Sequence, residues 1–220
     1  MFEITAKDIV KQVNALKLVH DARKILQEEE ERRRKFRDWA NEDTMAEFIN
    51  GEVVVHSPPR RRHKLICDNL YDLIRHFVRK NKLGETAKES DMIGLTRNDY
   101  LPDICFWNNE KSSAFDGDTV IYPAPDLAVE ILSRSTASND RKTKFKDYAL
   151  HGIGEYWIID PKRQIVEQYR LLTPKDTSYV PEGKFGLSDE ITSFVLPDFT
   201  VPVLAIFDEN ANQETLKSFF

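Results

Sequence analysis

Residues 125–133 read PDLAVEILS, and this segment decides how the rest of the chain is interpreted. It is a short apolar run that begins at a proline and ends at a serine, which is the pattern of a buried β-strand. Glu130 interrupts the run, and a buried carboxylate is costly unless it is paired or binds a metal. Glu130 is therefore a candidate functional residue. The alternatives are an ion pair with an arginine or a position on an exposed sheet edge.

A second acid lies in a similar setting. Residues 101–107 read LPDICFW and place Asp103 after a proline, at the start of another apolar strand. An aspartate at this position is alternatively a turn or strand-end residue.

Residues 139–148 read NDRKTKFKDY and are predicted to form a basic helix. Side chains three, four or seven positions apart lie on the same side of a helix. One face therefore holds Lys144, Tyr148 and His151, and another holds Lys142, Lys146 and Ala149. One face can point at the carboxylates while the other meets solvent or phosphate. The alternative is a basic helix that is simply solvated.

The remaining pattern predicts further elements around these segments. A strand is predicted over residues 52–55, and a helix over 61–81 has a continuous apolar side. Further strands are predicted near residues 86–95, 101–107, 126–133, 154–160, 165–172 and 190–207, and a second helix over about 139–151. This order predicts an α/β (α+β) domain with a central mixed β-sheet flanked by helices.

The first fifty residues differ from the rest, because none of the 18 Gly and Pro residues lies before Gly51. This absence predicts helix. An apolar stripe recurs at steps of three or four residues and comprises Ile9, Val13, Leu16, Val19, Ala22 and Leu26. The Glu/Arg run at residues 28–35 is typical of a solvated helix face. The stripe alternatively packs on the body or on a second copy of the chain.

Composition and charge exclude several classes of protein. The 220 residues carry a net charge of −5, so the chain is no globally basic nucleic-acid coat. Residues 1–37 hold ten bases and seven acids, a net +3 that leaves −8 on the remainder. No segment approaches the roughly 18 apolar residues of a membrane span, and the N-terminus lacks the apolar core of a signal peptide. Two cysteines form no disulfide framework, which favours a reducing, cytoplasmic location.

An Asp, a Glu on a neighbouring strand and a nearby Lys together suit phosphodiester hydrolysis. Two carboxylates can hold one or two hard divalent cations. Such a metal polarises a phosphate and lowers the pKa of a bound water. The lysine can orient or deprotonate that water, or neutralise charge on the phosphorus. Acyl transfer is a poor match, because the chain has no G-x-S-x-G motif.

Four segments in combination resemble the Uma family of restriction endonucleases, a branch of the PD-(D/E)xK nuclease superfamily. They are Pro102-Asp103, residues 129–136 (VEILSRST), the Lys144-x-x-x-Tyr148 segment and residues 152–161 (GIGEYWIIDP). The resemblance covers roughly residues 40–207 and also includes residues 47–52, His63 and residues 196–199.

The resemblance implies a restriction-endonuclease-like core and a role for each matching residue. Asp103 and Glu130 are implied to bind Mg²⁺ or Mn²⁺, with the Ile131 carbonyl able to complete the coordination shell. Lys144 is implied to be the catalytic lysine. Glu47 is implied to be a further catalytic acid, carried by the N-terminal helix of the core.

The chain departs from the superfamily pattern at one position. The lysine usually lies two residues after the glutamate, where this chain has Leu132. Lys144 on the following helix is the inferred substitute, and Lys142 and Lys146 remain alternatives.

Local basic clusters support binding of DNA through phosphates. The predicted contacts are His63, Arg61, Lys142 and Lys146. His63 is alternatively a general base, or a helix-start residue bonded to backbone. Because the carboxylates need a metal before a polyanion can approach, we expect binding that depends on a divalent metal and weakens with salt.

The sequence therefore predicts a metal-dependent endonuclease that hydrolyses DNA, with a helical arm over residues 1–37 and a nuclease-like domain over 38–220. A homodimer is expected, since cutting both strands takes two active sites. The alternative is a nuclease-fold module with little or no turnover that binds partners through the arm. A third possibility is a metal-dependent hydrolase of RNA or small phosphoesters.

Overall fold

The computed structural model describes residues 4–40 and 45–219. The helices are α1 (Ala6–Val10), α2 (Ala15–Trp39), α3 (Arg61–Asn81), α4 (Asn109–Ser112), α5 (Ala137–Asn139), α6 (Phe145–Leu150), α7 (Leu204–Phe207) and α8 (Glu209–Ser218). A π-helical turn, Asp140–Lys144, joins α5 to α6. Of the helices within these two ranges, none has the length and apolar character needed to span a membrane.

The strands form two larger sheets and one hairpin. They are β1 (Ala46–Ile49), β2 (Glu52–Val55), β3 (Gly84–Lys88), β4 (Met92–Gly94), β5 (Asp99–Tyr100), β6 (Ile104–Asn108), β7 (Ile121–Tyr122), β8 (Leu127–Ile131), β9 (Glu155–Asp160), β10 (Ile165–Arg170), β11 (Val180–Phe185), β12 (Glu190–Thr192) and β13 (Thr200–Pro202). The central sheet has six strands in the order β11-β10-β9-β8-β6-β3, and the smaller sheet has five in the order β2-β1-β5-β4-β7.

The central sheet is mixed and has a core on each face. Strands β8 and β9 pair in parallel, while β8 pairs antiparallel with β6. Val129 and Ile131 of β8 pack on one face in the core that includes α3. Ala128 packs on the other face, in the core that contains Tyr148 of α6. Since side chains alternate along a strand, Glu130 also faces α6. The predicted mixed sheet flanked by helices is confirmed.

The predicted elements are present, with shifted bounds in three places. The strand predicted over 86–95 is two strands, β3 and β4, because the chain turns at Glu89 with a φ of 59°. The strand predicted over 190–207 is the β12–β13 hairpin followed by α7. The helix predicted over 139–151 consists of the end of α5, the π-helical turn and α6.

Glu47 lies on strand β1, so the prediction that a helix carries it is wrong. Strand β1 pairs antiparallel with β2, and Glu47 is opposite Val54. Asn50 and Gly51 connect the two strands with φ angles of 51° and 85°. Two positive φ angles in an Asn-Gly turn are typical of a type I′ hairpin. The sequence at this point therefore specifies a hairpin, and the hairpin places Glu47 in the smaller sheet.

The N-terminal segment is helical, as predicted, over α1 and α2. Residues 1–3 lie outside the described residues. The predicted apolar stripe is largely exposed: Leu16 is 90% exposed and Leu26 is 49% exposed. The division of the chain at residue 37 stays a prediction, and α2 runs across it.

The last turns of α2 are anchored to the body by buried charges. Arg33 is 4% exposed, and its Nη2 lies 2.7 Å from Oδ1 of the fully buried Asp99 on β5. Arg37 donates to both oxygens of the same carboxylate at 2.7 and 2.9 Å. Burial alone would raise the pKa of Asp99, but hydrogen bonds from Arg37 and Arg33 lower it below its usual value. Asp99 is therefore a charged anchor that fixes α2 on the smaller sheet.

Replacing Asp99 by Asn is expected to lower the free energy of unfolding by about 3–5 kcal/mol, because buried Arg33 loses its counter-charge. The matched control is Glu31→Gln, which removes an exposed ion pair with Arg34. This control is expected to cost far less, because an ion pair in solvent contributes little to stability. Urea unfolding followed by circular dichroism measures both values.

The effect of Asp99→Asn also depends on pH. Because the pKa of Asp99 is lowered from 3.8 on folding, its stabilisation is complete above that value and is lost as pH falls through the folded pKa. The difference between wild type and Asp99→Asn should therefore shrink in acid. If Asp99→Asn and Glu31→Gln cost the same at neutral pH, the anchoring role is wrong.

Candidate active site

The ends of β6 and β8 bring the two sequence-predicted acids to one edge of the central sheet. Ile104 is opposite Val129 in the antiparallel pair, so Asp103 and Glu130 follow at the next opposing positions. The backbone N–H of Ile131 donates a hydrogen bond to Asp103 Oδ2 at 2.5 Å. The backbone directly after Glu130 therefore fixes the position of the Asp103 carboxylate.

Lys144 lies inside the cluster and contacts three carboxylates. Its Nζ is 2.9 Å from Glu130 Oε1, 2.8 Å from Glu47 Oε1 and 3.7 Å from Asp140 Oδ1. Tyr148, four residues later on the helix, donates its hydroxyl to the same Glu130 oxygen at 2.8 Å. The spacing of Lys144 and Tyr148 thus directs both side chains at Glu130, as the helix-face prediction requires.

The other basic residues of this segment lie apart from the cluster. Lys142 and Lys146 are exposed, whereas Lys144 is 1% exposed. His151, predicted on the same face as Lys144, instead approaches the loop before β5. Its Nε2 accepts a hydrogen bond from the backbone N–H of Thr96 at 3.0 Å. Of the three candidate lysines, the fold brings only Lys144 to the acids.

Glu47 is a buried acid held from two sides. Its Oε1 accepts a hydrogen bond from the backbone N–H of Leu101 at 2.9 Å, and its Oε2 lies 3.0 Å from His56 Nε2. Burial alone would raise the pKa of Glu47, but Lys144 and His56 together lower it to about 2. Glu47 is therefore an anion at neutral pH that holds the Lys144 ammonium in place.

Three carboxylates contact Lys144, and they share this one ammonium group. Burial raises the pKa of Glu130 well above its usual range; Lys144 opposes this shift, and Asp140 and Asp103 add to it. Burial alone would lower the pKa of Lys144, but Glu130, Glu47 and Asp140 raise it well above its usual range. Lys144 is therefore a cation. This state suits neutralisation of charge and does not suit proton abstraction near pH 7.

Asp140 belongs to this cluster and was not predicted. It is fully buried, and within residues 4–40 and 45–219 neither carboxylate oxygen has a hydrogen-bond partner. Burial raises the pKa of Asp140 to about 6, although Lys144 acts in the opposite direction. The sequence carried one usable signal, since Asp140 precedes Lys144 by four residues on the same helical segment.

A second arrangement around Asp103 could hold a metal ion. Among the described residues, one group of potential ligands consists of His63, Glu89 and Asp103, whose ligand atoms lie within 4.8 Å of one another. His63 Nε2 is 3.3 Å from Asp103 Oδ2, and His63 Nδ1 is 3.9 Å from Glu89 Oε1. Carboxylate oxygens and an imidazole nitrogen suit Mn²⁺ and related cations. Burial alone would lower the pKa of His63, but Asp103 and Glu89 raise it.

The predicted metal ligands are thus divided between two neighbouring arrangements. Asp103 is shared, Glu130 is engaged by Lys144 and Tyr148, and His63 and Glu89 approach Asp103 from the other side. Sequence reasoning missed Glu89, which follows β3 at a turn with positive φ and carries no local signal of function. The residues present fit a divalent cation, because His63, Glu89 and Asp103 offer two carboxylates and an imidazole nitrogen within 4.8 Å of one another.

The predicted DNA contacts occupy two kinds of position. Three of them are exposed and can contact a DNA phosphate: Arg61, Lys142 and Lys146. The side chain of His63 is 12% exposed and lies against Asp103, in the cluster itself. The position of His63 therefore favours a role as a potential metal ligand with Asp103 and Glu89 over direct contact with DNA on the protein surface.

Comparisons with known proteins identify a family and a similar fold. A family model described as "Uma2: Putative restriction endonuclease" matches residues 33–204. Among solved structures, the fold is similar to a "putative nuclease belonging to DUF820" from Anabaena variabilis ATCC 29413, with a TM-score of 0.63 and 20% identity over 78% of this chain and 90% of that chain. A search of curated proteins finds no match.

Proposed function

The chain belongs to the Uma2 family, and we propose that it is a metal-dependent endonuclease that hydrolyses phosphodiester bonds of DNA. One observation carries this proposal: a buried lysine bridges Glu130 and Glu47 beside Asp103, at the edge of the central sheet. Lysine with two or more carboxylates is the set that suits stabilisation of a phosphoryl transition state.

Asp103 is the proposed central metal ligand. Glu130 is the second ligand that the sequence predicts, and His63 and Glu89 are the potential ligands that approach Asp103 from the other side. A bound Mg²⁺ or Mn²⁺ would supply Lewis-acid polarisation of the phosphate and a more acidic water.

The chain's own residues bind and orient the reacting groups. Lys144 Nζ supplies a fixed positive charge beside the developing charge of the phosphate, and it keeps its proton. Glu47 and Tyr148 act as positioning residues, because Glu47 holds the ammonium and Tyr148 holds the Glu130 carboxylate. The Ile131 N–H orients Asp103. Because these contacts hold Lys144, Glu130 and Asp103 in place before the reaction, the side chains need little rearrangement during it.

Lys144→Met is expected to lower the cleavage rate of supercoiled plasmid by about 100-fold or more, because it removes the cation at the reacting phosphate. Glu130→Gln, which keeps the side-chain volume and can still accept from Tyr148, is expected to do the same. The matched control is Lys175→Met, at an exposed lysine in the loop between β10 and β11. Gel analysis of plasmid nicking with Mg²⁺ or Mn²⁺ measures these rates.

Thermal unfolding checks that each variant is folded before its rate is interpreted. Cleavage by Glu130→Gln at the wild-type rate would overturn the proposed function, as would a wild-type protein that leaves DNA intact with either metal.

Metal binding itself is tested without activity. A ligand bound only by the folded state at 100 times its Kd stabilises that state by about 2.7 kcal/mol. Mn²⁺ should therefore raise the Tm of wild type and of the exposed control Asp118→Asn, and it should leave Asp103→Asn unchanged. Differential scanning calorimetry measures the shift.

Two further variants identify the carboxylate that completes the metal site. Loss of the Mn²⁺ shift in Glu130→Gln assigns the second ligand to Glu130, and its loss in Glu89→Gln assigns it to the His63 group. An equal Tm shift in Asp103→Asn and wild type would contradict the proposed metal site.

A second candidate function, a binding module that works through the arm, is favoured by one observation. Apolar side chains of the predicted stripe on the first half of α2 are exposed, including Leu16 at 90% and Leu26 at 49%. We propose that this stripe pairs two copies of the chain, which is also the route to the expected homodimer.

The double variant Leu16→Glu/Leu26→Glu is expected to convert the dimer to monomer, because it places charge in the apolar contact. Val120→Glu changes an apolar residue that is 77% exposed outside the arm and serves as the control. Light scattering after size exclusion measures the mass. A dimer that persists in the double variant, or a wild-type monomer, would contradict pairing through the arm.

A further inference from the structure

We propose that a basic track beside the candidate active site binds the phosphate backbone of duplex DNA. The basic track comprises Arg61, Arg62, Arg141, Lys162, Arg163 and Lys184. The proposal rests on the proposed function, since it names the surface that would hold that substrate. It adds three residues from the β9–β10 turn and β11, Lys162, Arg163 and Lys184, that the sequence pattern did not indicate as phosphate contacts.

The fold places the track at the same sheet edge as the acids. Strands β8 and β9 are parallel, so their carboxyl ends meet, and the N–H of Leu132 donates to the carbonyl of Ile159 at 2.9 Å. The turn that carries Lys162 and Arg163 begins directly after β9. It therefore lies beside the chain that leaves Glu130.

The start of α3 brings the other end of the track to the same place. Arg61 and Arg62 immediately precede His63, whose Nε2 is 3.3 Å from Asp103. The track thus adjoins the candidate active site through two independent elements, the β9–β10 turn and the first turn of α3.

Two neighbouring cavities connect these elements, and Lys162 lines both. One, of about 440 Å³, is also lined by Arg61 and Arg62 and contains no acidic residue. The other, of about 380 Å³, is lined by Arg141, Arg163 and Lys184, with Asp160 and Glu167. The two cavities therefore adjoin each other at Lys162.

The charge of this surface opposes that of the whole protein. Its six bases and two acids give a net charge of +4, whereas the chain carries −5. A hydrogen bond from Arg141 lowers the pKa of Glu167 to about 2, and Lys184 Nζ lies 3.6 Å from Oε2 of the same carboxylate, so the charge of Glu167 is shared between these two bases. In the part of the chain that the structure describes, the side chains of Arg61, Arg62 and Lys162 form no ion pair or hydrogen bond. These cations are available to a polyanion.

The β9–β10 turn presents its cations on a preformed backbone. Asp160 Oδ1 accepts from the N–H groups of Lys162 and Arg163 at 2.9 and 3.1 Å. Gln164 closes the turn with a φ of 53°, and its N–H donates to the Asp160 carbonyl at 2.9 Å. Because the backbone is already ordered, binding a phosphate here orders only the side chains. A phosphate backbone that spans both cavities is the ligand that the combined charge and shape fit.

The test compares two double variants of the full-length chain that remove the same residue types. Lys162→Ala/Arg163→Ala removes two cations of the track and keeps the backbone bonds to Asp160. Arg79→Ala/Lys80→Ala removes an exposed pair near the other end of α3, 18 residues beyond Arg61 and so about 27 Å away along the helix. Both carry Glu130→Gln so that the DNA stays intact, and the Glu130→Gln protein alone is the reference.

Fluorescence anisotropy with a labelled duplex, in Mg²⁺ and over a series of salt concentrations, gives Kd and its salt dependence. Each phosphate contact contributes about 0.9 to the slope of log K against log salt, so the track variant should lose about 1.8. Its Kd near 0.1 M salt should be weaker by on the order of tenfold or more. The Arg79/Lys80 variant should match the reference in both.

Three outcomes would overturn the basic track: a reference protein that binds no duplex, an unchanged slope in the track variant, or equal losses in both double variants. Plasmid cleavage by the chains with native Glu130 separates this result from the proposed function. A wild-type protein that binds through the track without cutting contradicts only the nuclease proposal. A Lys162→Ala/Arg163→Ala protein that cuts with unchanged KM and kcat contradicts only the track.

Discussion

The buried ammonium of Lys144 is the interaction on which the rest of the site depends. It joins Glu130 of the central sheet to Glu47 of the smaller sheet, and it is carried by a third element, the helical segment after β8. A buried charge that loses its partner is strongly destabilising. The three elements are therefore held in register by the same contacts that form the candidate active site. The π-helical turn that ends at Lys144 agrees with this, since such turns often occur at functional sites.

Periodic apolar patterns made much of the fold predictable from sequence. The apolar side of α3 and the apolar run of β8 are local signals that tertiary packing reinforced. The hairpin at Asn50-Gly51 also had a local signal, since an Asn-Gly pair precedes a run of three valines. The family resemblance nevertheless implied a helix at Glu47, and this implication was wrong. The site was less accessible to such reasoning. Glu89 reaches Asp103 only because β3 pairs with β6, and no local pattern reports a contact between strands.

The charged run of α2 shows a related limit. Regular spacing of glutamate and arginine at residues 28–35 indicated pairs within an exposed helix, and Arg34 does pair with Glu31. Glu29 and Arg33, however, turn inward and pair with Arg97 at 2.6 Å and Asp99 at 2.7 Å. In a helix with a repeated pattern of opposite charges, every charged side chain has a possible partner within the helix. The surface against which the helix packs determines which side chains pair instead with residues far away in the sequence.

The location of the lysine on a helix has a consequence for how such a site is recognised from sequence. In the usual superfamily pattern the lysine follows the glutamate by two residues on one strand, so any insertion between them would destroy the site. Here fourteen positions separate Glu130 from Lys144, and residues 132–136 lie between the strand and the helix. The position of Lys144 therefore depends on how the helix docks against the sheet and not on a fixed distance along one strand. The usual two-residue spacing would therefore not identify this chain, whereas a comparison over residues 33–204 as a whole does.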